Sequence, residues 1–88
     1  MFATSEEITV TIKLYGGLDK QARIEGYDPE TGIELKIKKE TKLKKVLKGL
    51  GLNRSGPVVL FINGKKAGPD RKLIDKDIVY CMMPISGG

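Results

Sequence analysis

Every second residue from Ile8 to Leu14 is apolar, and the residues between them are two threonines and a lysine. A period of two is that of a β-strand, so this run predicts a strand with one buried face. A second run of the same kind, over residues 33–38, places Ile33, Leu35 and Ile37 on its apolar side. We expect residues 1–7, before the first strand, to be loose.

The segment between these strands contains a strong turn signal at residues 26–32. Pro29 presets φ for a turn, Asp28 can cap it with its side chain, and Gly32 suits a left-handed residue that closes it. A hairpin arm leading into the second strand is therefore predicted. Before it, residues 18–24 are expected to form a helical turn with Leu18 and Ala22 inward.

One helix is predicted over residues 42–50, with Thr41 as its cap. The apolar residues fall at i, i+3, i+4 and i+7 and form one buried stripe, namely Leu43, Val46, Leu47 and Leu50. Lys44, Lys45 and Lys48 are expected to face solvent. Gly51 fits the left-handed position just past the helix.

The remaining chain predicts two further strands. The run 58–62 is apolar throughout, and Asn63-Gly64 after it is the preferred pair for a tight hairpin turn. Residues 67–76 are expected to be mostly loop, held by Leu73 and Ile74, before a last strand over 78–83. The order strand, strand, helix, strand, strand indicates an α+β fold. We expect a β-grasp, ubiquitin-like domain over 1–88, with a mixed sheet of four to five strands on one main helix.

Composition limits the chemistry of this 88-residue chain. Cys81 is its only cysteine and is expected to be a small buried hydrophobe, and there is no histidine and no phosphate-binding glycine loop. Self-contained catalysis and a metal site are therefore not expected, and enzymes are expected to act on the chain. No run is long enough to span a membrane and no secretory signal is evident, so the cytoplasm is the expected location.

Charge is unevenly distributed, with a net −4 over residues 1–35 and +9 over residues 36–88. A solvated lysine-rich face is the preferred interpretation. A nucleic-acid-binding module is the alternative, using Lys42, Lys44, Lys45, Lys48, Lys65 and Lys66. Only five aromatic residues are present and no stacking platform is evident, which argues against that module.

The last five residues, Pro84-Ile85-Ser86-Gly87-Gly88, directly follow the apolar run of the last strand. Extended, they reach at most about 17 Å, and glycine has no Cβ, so the tail could thread a channel closed to other residues. A terminal carboxylate is a poor electrophile until it is activated, for example by transfer of AMP from ATP. The alternative is a frayed end without a role, and we expect 84–88 to be a flexible tail.

At the level of motifs, the chain resembles the MoaD/ThiS group of ubiquitin-like sulfur carriers over nearly all its length. The resemblance rests on the strand end at 14–16, the helix 41–50, the strand and turn 59–64, and residues 73–88. The ending is most like the small subunit of molybdopterin synthase. Lys76 replaces a glycine that is usual in that family, and Met83 replaces the first proline of the tail.

This resemblance implies that a ThiF/MoeB-like enzyme uses ATP to adenylate Gly88, which then becomes a thiocarboxylate. The sulfur would pass to a pyranopterin precursor inside a MoaE-like large subunit of molybdopterin synthase, for a molybdenum or tungsten cofactor. The carrier itself would bind no cofactor. Gly87 would be the slender neighbour, and Ser86, Ile85 and Pro84 would complete and direct the tail.

The residues implied for docking are apolar: Phe61, Tyr80, Met82 and Met83. Ordinary core is the alternative for Phe61 and Tyr80, and the preferred interpretation for Val59. Two other functions remain open within the same fold. One is a protein modifier joined to lysines through Gly88, and the other is a ThiS-type carrier of the thiamine pathway.

Overall fold

A computed structural model describes residues 6–18, 26–52 and 58–83 of the chain. In these ranges its strands and its helix of seven residues run in the order β1 (Glu7–Leu14), β2 (Ile33–Lys38), α1 (Leu43–Gly49), β3 (Val59–Ile62), β4 (Lys65–Ala67) and β5 (Ile78–Met82). The five strands form one sheet in the order β2-β1-β5-β3-β4, in which β1 and β5 are parallel and the other neighbours antiparallel. The predicted α+β, β-grasp architecture is confirmed.

The alternation predicted for β1 is observed directly. The strand buries its apolar side against the helix and pairs residue by residue with β2, from Glu7 opposite Lys38 to Ile12 opposite Ile33. The pairing begins earlier than expected, because the Lys39 N–H also donates to the Glu6 carbonyl at 2.8 Å. Expecting all of 1–7 to be loose was therefore wrong for Glu6 and Glu7, and residues 1–5 lie outside the described residues.

The turn at 26–32 forms as its residues predict. The Asp28 carbonyl accepts the Gly32 N–H at 2.7 Å, and the Asp28 carboxylate accepts the Glu30 N–H at 2.9 Å. Gly32 has a φ of 74°, and a Cβ there would lie 2.7 Å from the Ile12 carbonyl oxygen, so a side chain would clash with β1. Leu18 is fully buried as expected, whereas Ala22 lies outside the described residues.

The helix buries Leu43, Val46 and Leu47 and half-buries Leu50, so the predicted stripe is confirmed. Its start differs from the prediction, because Lys42 is the N-cap residue and no side chain caps the helix. The Thr41 hydroxyl instead donates to the Lys38 carbonyl at 2.6 Å.

Backbone groups replace the missing cap of α1. The N–H groups of Leu43 and Lys44 donate to the carbonyls of Arg71 and Pro69 at 2.9 and 2.8 Å. A helix start needs acceptors for its first N–H groups, and here the loop after β4 supplies them. At the other end of the helix, Gly51 takes the predicted left-handed conformation, with a φ of 80°.

The Asn63-Gly64 turn joins β3 to β4, a short strand that sequence analysis did not identify. Both residues have positive φ, 52° and 86°, which matches the turn type favoured in two-residue hairpins. Leu73 is fully buried as expected, but Ile74 is 60% exposed, so it does not hold the loop. Its N–H is bound by the Asp77 carboxylate at 2.8 Å, and the tight turn this creates leaves the side chain outside.

The hydrophobic core lies between the helix and one face of the sheet. Its buried residues come from β1, α1, β3, β5 and neighbouring loop positions, and none from β2 or β4: Ile8, Val10, Ile12, Leu14, Leu18, Leu43, Val46, Leu47, Leu52, Leu60, Ile62, Leu73, Val79 and Cys81. The opposite face of the sheet carries no helix in the described ranges, and we call it the open face.

Candidate functional site

The candidate site lies where the central strand β5 ends. β5 has β1 on one side, with Leu14 opposite Cys81, and β3 on the other, with Val59 opposite Met82. The Tyr15 N–H extends the pairing with β1 by donating to the Cys81 carbonyl at 2.9 Å. The chain therefore leaves the sheet from its middle, where β1 ends and β3 begins.

Met83 is the last described residue along this exit. It is 36% exposed, and its Cβ lies 3.5 Å from the position that a Cβ on Gly16 would occupy. The five tail residues predicted to carry the chemistry lie outside the described residues, namely Pro84, Ile85, Ser86, Gly87 and Gly88. Their roles remain predictions.

Three of the four predicted docking residues, Phe61, Tyr80 and Met82, share the open face of the sheet with Val59, whereas Met83 follows the end of β5 and lies beside Gly16. Phe61 lies directly opposite Tyr80, and Val59 opposite Met82, so all four side chains point away from the helix. Each is half-buried, and none belongs to the core cluster of the described chain. Treating Val59 as core was therefore wrong, and the core alternative does not hold for Phe61 or Tyr80.

Tyr15, at the end of β1, extends this surface towards the exit. Its ring stacks on Tyr80 with the centroids 6.2 Å apart and the planes 13° from parallel. The Lys13 ammonium lies 5.9 Å from the centroid of the Tyr80 ring, within reach of a cation–π contact. We call Tyr15, Val59, Phe61, Tyr80 and Met82 together the open-face patch.

Sequence analysis missed Lys13 and Tyr15. Both stand on the outer side of the first alternating run, together with Thr9 and Thr11, and this was a usable signal of an outward position. Only the parallel pairing of β1 with β5 places them beside Tyr80, however, and that pairing joins residues more than sixty positions apart.

A polar network fixes the start of β5. The Asp77 carboxylate, 1% exposed, accepts the Asn63 side-chain N–H at 2.9 Å and the Ile74 N–H at 2.8 Å. The Asn63 side-chain oxygen in turn accepts the Ile78 N–H at 3.0 Å. This buried carboxylate is fully engaged in holding the turn to the sheet, which indicates a structural role.

The thiol on β5 is also structural. Cys81 is fully buried, and burial raises its pKa to about 12, so the thiol stays protonated at neutral pH. The expectation of a small buried hydrophobe is confirmed. The described ranges contain no cluster of three or more acidic, cysteine or histidine side chains placed to hold a metal ion. No helix in those ranges has the length and apolar character needed to cross a bilayer.

The lysines proposed for a nucleic-acid interface do not share one surface. Lys66 lies opposite Phe61 on the open face, whereas the lysines of α1 lie in the layer on the other side of the sheet. Lys44 is also paired with Asp70 at 2.9 Å, and the hydrogen bond and charge of Lys44 lower the pKa of that carboxyl. Lys66 and the lysines of α1 therefore lie on opposite sides of the sheet.

Comparison with known proteins identifies the fold. No protein-family model matches the chain, and no curated protein sequence matches it. Solved structures do match. One is SAMP1 from Haloferax volcanii, with a TM-score of 0.65 and 17% identity, covering 91% of this chain and 99% of that one. Another is the small archaeal modifier protein 1 from Methanosarcina acetivorans, with a TM-score of 0.61 and 22% identity, covering 94% and 99%.

A third match is a putative molybdopterin converting factor, subunit 1, from Pyrococcus furiosus. Its TM-score is 0.64 at 14% identity, covering 89% of this chain and 99% of that chain. The matched proteins are thus covered almost completely by this short chain. These likenesses show a ubiquitin-like β-grasp fold, and they confirm at the level of fold the resemblance to the MoaD/ThiS group.

Proposed function

We propose that this protein is a ubiquitin-like sulfur carrier whose Gly88 carboxylate is adenylated and converted to a thiocarboxylate. The proposal joins two observations, the shared fold with carrier and modifier proteins and the Gly87-Gly88 ending. The described surface supplies binding area and no catalytic group. Its contribution to the reaction is then to position the tail for another protein's active site.

The observation that carries the proposal is the placement of the open-face patch. The patch lies on β5 and on both of its neighbours, and β5 continues through Met83 into the tail. A partner that covers Phe61 and Tyr80 would lie beside the strand that leads into the tail, and the five tail residues reach at most about 17 Å beyond Met83. Docking of the folded body and delivery of the tail would thereby be coupled through the same strand, β5.

The chemistry at Gly88 would proceed in two steps, both catalysed by the partner. An oxygen of the carboxylate attacks the α-phosphorus of ATP, pyrophosphate leaves, and a mixed anhydride with AMP forms. Hydrosulfide supplied by a sulfur donor then attacks the activated carbonyl carbon, AMP leaves with the electrons of the broken C–O bond, and loss of the S–H proton gives the thiocarboxylate. A ThiF/MoeB-like enzyme would serve as the activating partner, and the carrier would retain no cofactor.

Molybdopterin synthesis is the destination that we favour. The ending from Leu73 to Gly88 is most like the small subunit of molybdopterin synthase, and one structural match is named a putative molybdopterin converting factor. A MoaE-like large subunit would then accept the tail and transfer the sulfur to the pterin precursor. The open-face patch would dock on either partner in turn.

Protein modification is the second candidate, and it also has a specific observation in its favour. Two structural matches are named small archaeal modifier proteins. In that case the carbonyl of Gly88 would be attacked by a lysine amine, and an amide would form as AMP leaves. Both candidates need the same activated Gly88, so they differ only in the nucleophile.

Intact-mass measurement distinguishes the two candidates. The chain is purified from its own cells, and a second sample is incubated with ATP, a sulfur donor and the cognate activating enzyme. Carriage predicts a mass gain of one sulfur-for-oxygen exchange, and modification predicts lysine adducts of the tail in proteolytic digests. Deletion of Gly88 should abolish either product and leave the melting temperature unchanged. An unaltered yield from the deletion variant would refute the role of the tail.

A further inference from the structure

The second surface of interest is the outer edge of β2, at one end of the sheet order. The Lys39 N–H donates to the Glu6 carbonyl. In an antiparallel pair, hydrogen-bonded and non-hydrogen-bonded residue pairs alternate, so every second residue of β2 from Lys39 directs its backbone groups towards β1. The backbone groups of Leu35 and Ile37 therefore face β1, whereas those of Glu34 and Lys36 face away from the sheet. No residue in the described ranges bonds to these outward groups of Glu34 and Lys36. A row of unpaired donors and acceptors is a template for another strand.

Beside this edge lies an apolar groove of about 500 Å³ between β2 and α1. Leu35 and Ile37 line it from the strand, and Val46 and Leu50 from the helix. All except Val46 are only half-buried, so the core of the domain is incompletely covered at this point. A strand added to β2 would place every second side chain over this groove, because side chains alternate between the faces of a sheet.

The charge around the groove favours an acidic occupant. Lys36, Lys38 and Lys45 line it and are exposed, while Glu7 is its one acidic lining residue. None of the three lysines is in an ion pair within the described ranges. Lysines on an edge strand repel a second copy of the same edge. The same lysines would attract carboxylates on the outer side of an added strand.

We infer that the edge of β2 and the β2–α1 groove bind an extended acidic peptide segment of a partner protein as a sixth strand. Alternate apolar side chains of that segment occupy the groove against Leu35, Ile37 and Leu50. The acidic side chains between them lie on the open face near Lys36 and Lys38. This surface is separated from β5 by β1, so it acts independently of Gly88 and can be occupied while the tail is engaged.

A short synthetic peptide of alternating valine and aspartate is the probe. Titrated into the isotope-labelled chain, it should shift the amide resonances of β2 and α1, and slow hydrogen exchange at the Lys36 amide. A peptide with serine in place of valine tests the groove, and a peptide N-methylated at its pairing amides tests strand addition without altering the protein. Each of these two peptides should bind at least fivefold more weakly than the first. The serine peptide loses about one buried apolar group, and the N-methylated peptide loses about one hydrogen bond.

Two protein variants form a matched pair. Lys36→Pro removes the outward N–H and leaves the hydrogen bonds between β2 and β1 intact. Lys36→Ala removes the charge alone. The proline variant should therefore bind the peptide about fivefold more weakly than the alanine variant. Lys36→Ala itself should weaken binding about twofold, as expected for an exposed ion pair. The Gly88 deletion should bind the probe as the wild type does, which separates this proposal from the function of the tail.

Several outcomes would overturn the inference. Equal affinity for the serine peptide would show simple charge attraction, and unchanged affinity of the N-methylated peptide would exclude strand addition. Resonance shifts confined to the open-face patch would place the peptide elsewhere. Self-association through β2 in the absence of peptide, or an RNA oligonucleotide that binds Lys36 and Lys45 more tightly than the peptide does, would assign the edge to a different occupant.

Discussion

The open face of the sheet differs between its two halves. Over β1 and β2 it carries Thr9, Thr11, Glu34 and Lys36, the polar residues expected where a sheet meets water. Over β5 and β3 the same face carries the apolar and aromatic side chains of the open-face patch, which the helix does not cover. Apolar side chains placed where the fold does not bury them indicate a partner surface. The difference therefore separates a polar half of this face, over β1 and β2, from the apolar half that we propose docks the activating enzyme.

Adjacent residues on β3 provide the largest test of this difference. Leu60 lies in the core, 5% exposed, and Phe61 lies on the open face. Leu60→Ala should lower the free energy of unfolding by about 2–5 kcal/mol, since it leaves a cavity. Phe61→Ala removes a larger side chain but should cost only about 1 kcal/mol, the scale of strand propensity and cross-strand pairing. Chemical denaturation measures both, and an equal or larger loss for Phe61→Ala would show that the open face serves stability.

Asp77, directly before β5, has a buried carboxylate at the edge of an otherwise apolar core. Removing its carboxylate leaves the Ile74 N–H and the Asn63 side-chain amide without their acceptor. Asp77→Ala should therefore lower the free energy of unfolding by about 2 kcal/mol. Asp75→Ala, which removes one exposed bond to the Thr9 N–H, is the matched control and should cost less than half as much. Equal losses for the two variants would contradict a structural role for the buried network.

Lys76 offers a smaller effect with the opposite sign. It has a φ of 70°, in the left-handed region, at the position where the resembled family has glycine. Lys76→Gly should raise the free energy of unfolding by about 1 kcal/mol, because glycine takes this conformation without strain. Lys76→Ala changes the side chain but keeps the strain, and should give no gain. A gain of equal size from both substitutions would assign the effect to the lost charge.

Cys81 should make stability depend on pH only in alkaline solution, with no such dependence near neutral pH. Its folded pKa of about 12 lies above the ordinary value of 9.0. The thiol therefore contributes stability that is fully present below about pH 9 and is lost as the pH rises towards 12. The stability difference between wild type and Cys81→Ala should shift against the wild type across this window. Alkylation of the native thiol should be slow at pH 8, and rapid alkylation of folded protein would contradict its burial.

The sequence alone predicted the parts of the fold that depend on local chemistry. Alternation identified β1 and β2, helical spacing identified the buried stripe of α1, and the Asn63-Gly64 turn was evident from its backbone requirement. The predictions were wrong where a segment distant in sequence made the contact that a neighbouring residue was expected to make. Carbonyls of the loop after β4 take the place of a Thr41 cap, and the Asp77 carboxylate turns Ile74 outward.

The candidate site was predictable to a similar extent. Phe61, Tyr80, Met82 and Met83 could be named as docking candidates from the family resemblance and their apolar character, but the side of the sheet on which each lies depends on strand register. Tyr15 and Lys13 could not be added without the parallel pairing of β1 and β5. The groove beside β2 was also invisible in the sequence, because it is formed by residues that each satisfy an ordinary amphipathic pattern.

Activation of Gly88 should depend on docking of the activating enzyme at the open-face patch. The direct measurement is ATP–pyrophosphate exchange by the cognate activating enzyme as a function of carrier concentration. Tyr80→Ser and Phe61→Ser should raise KM for the carrier about tenfold and leave kcat nearly unchanged. Thr11→Ser, on the polar half of the same face, should change neither. An unchanged KM for folded Tyr80→Ser and Phe61→Ser would contradict the account.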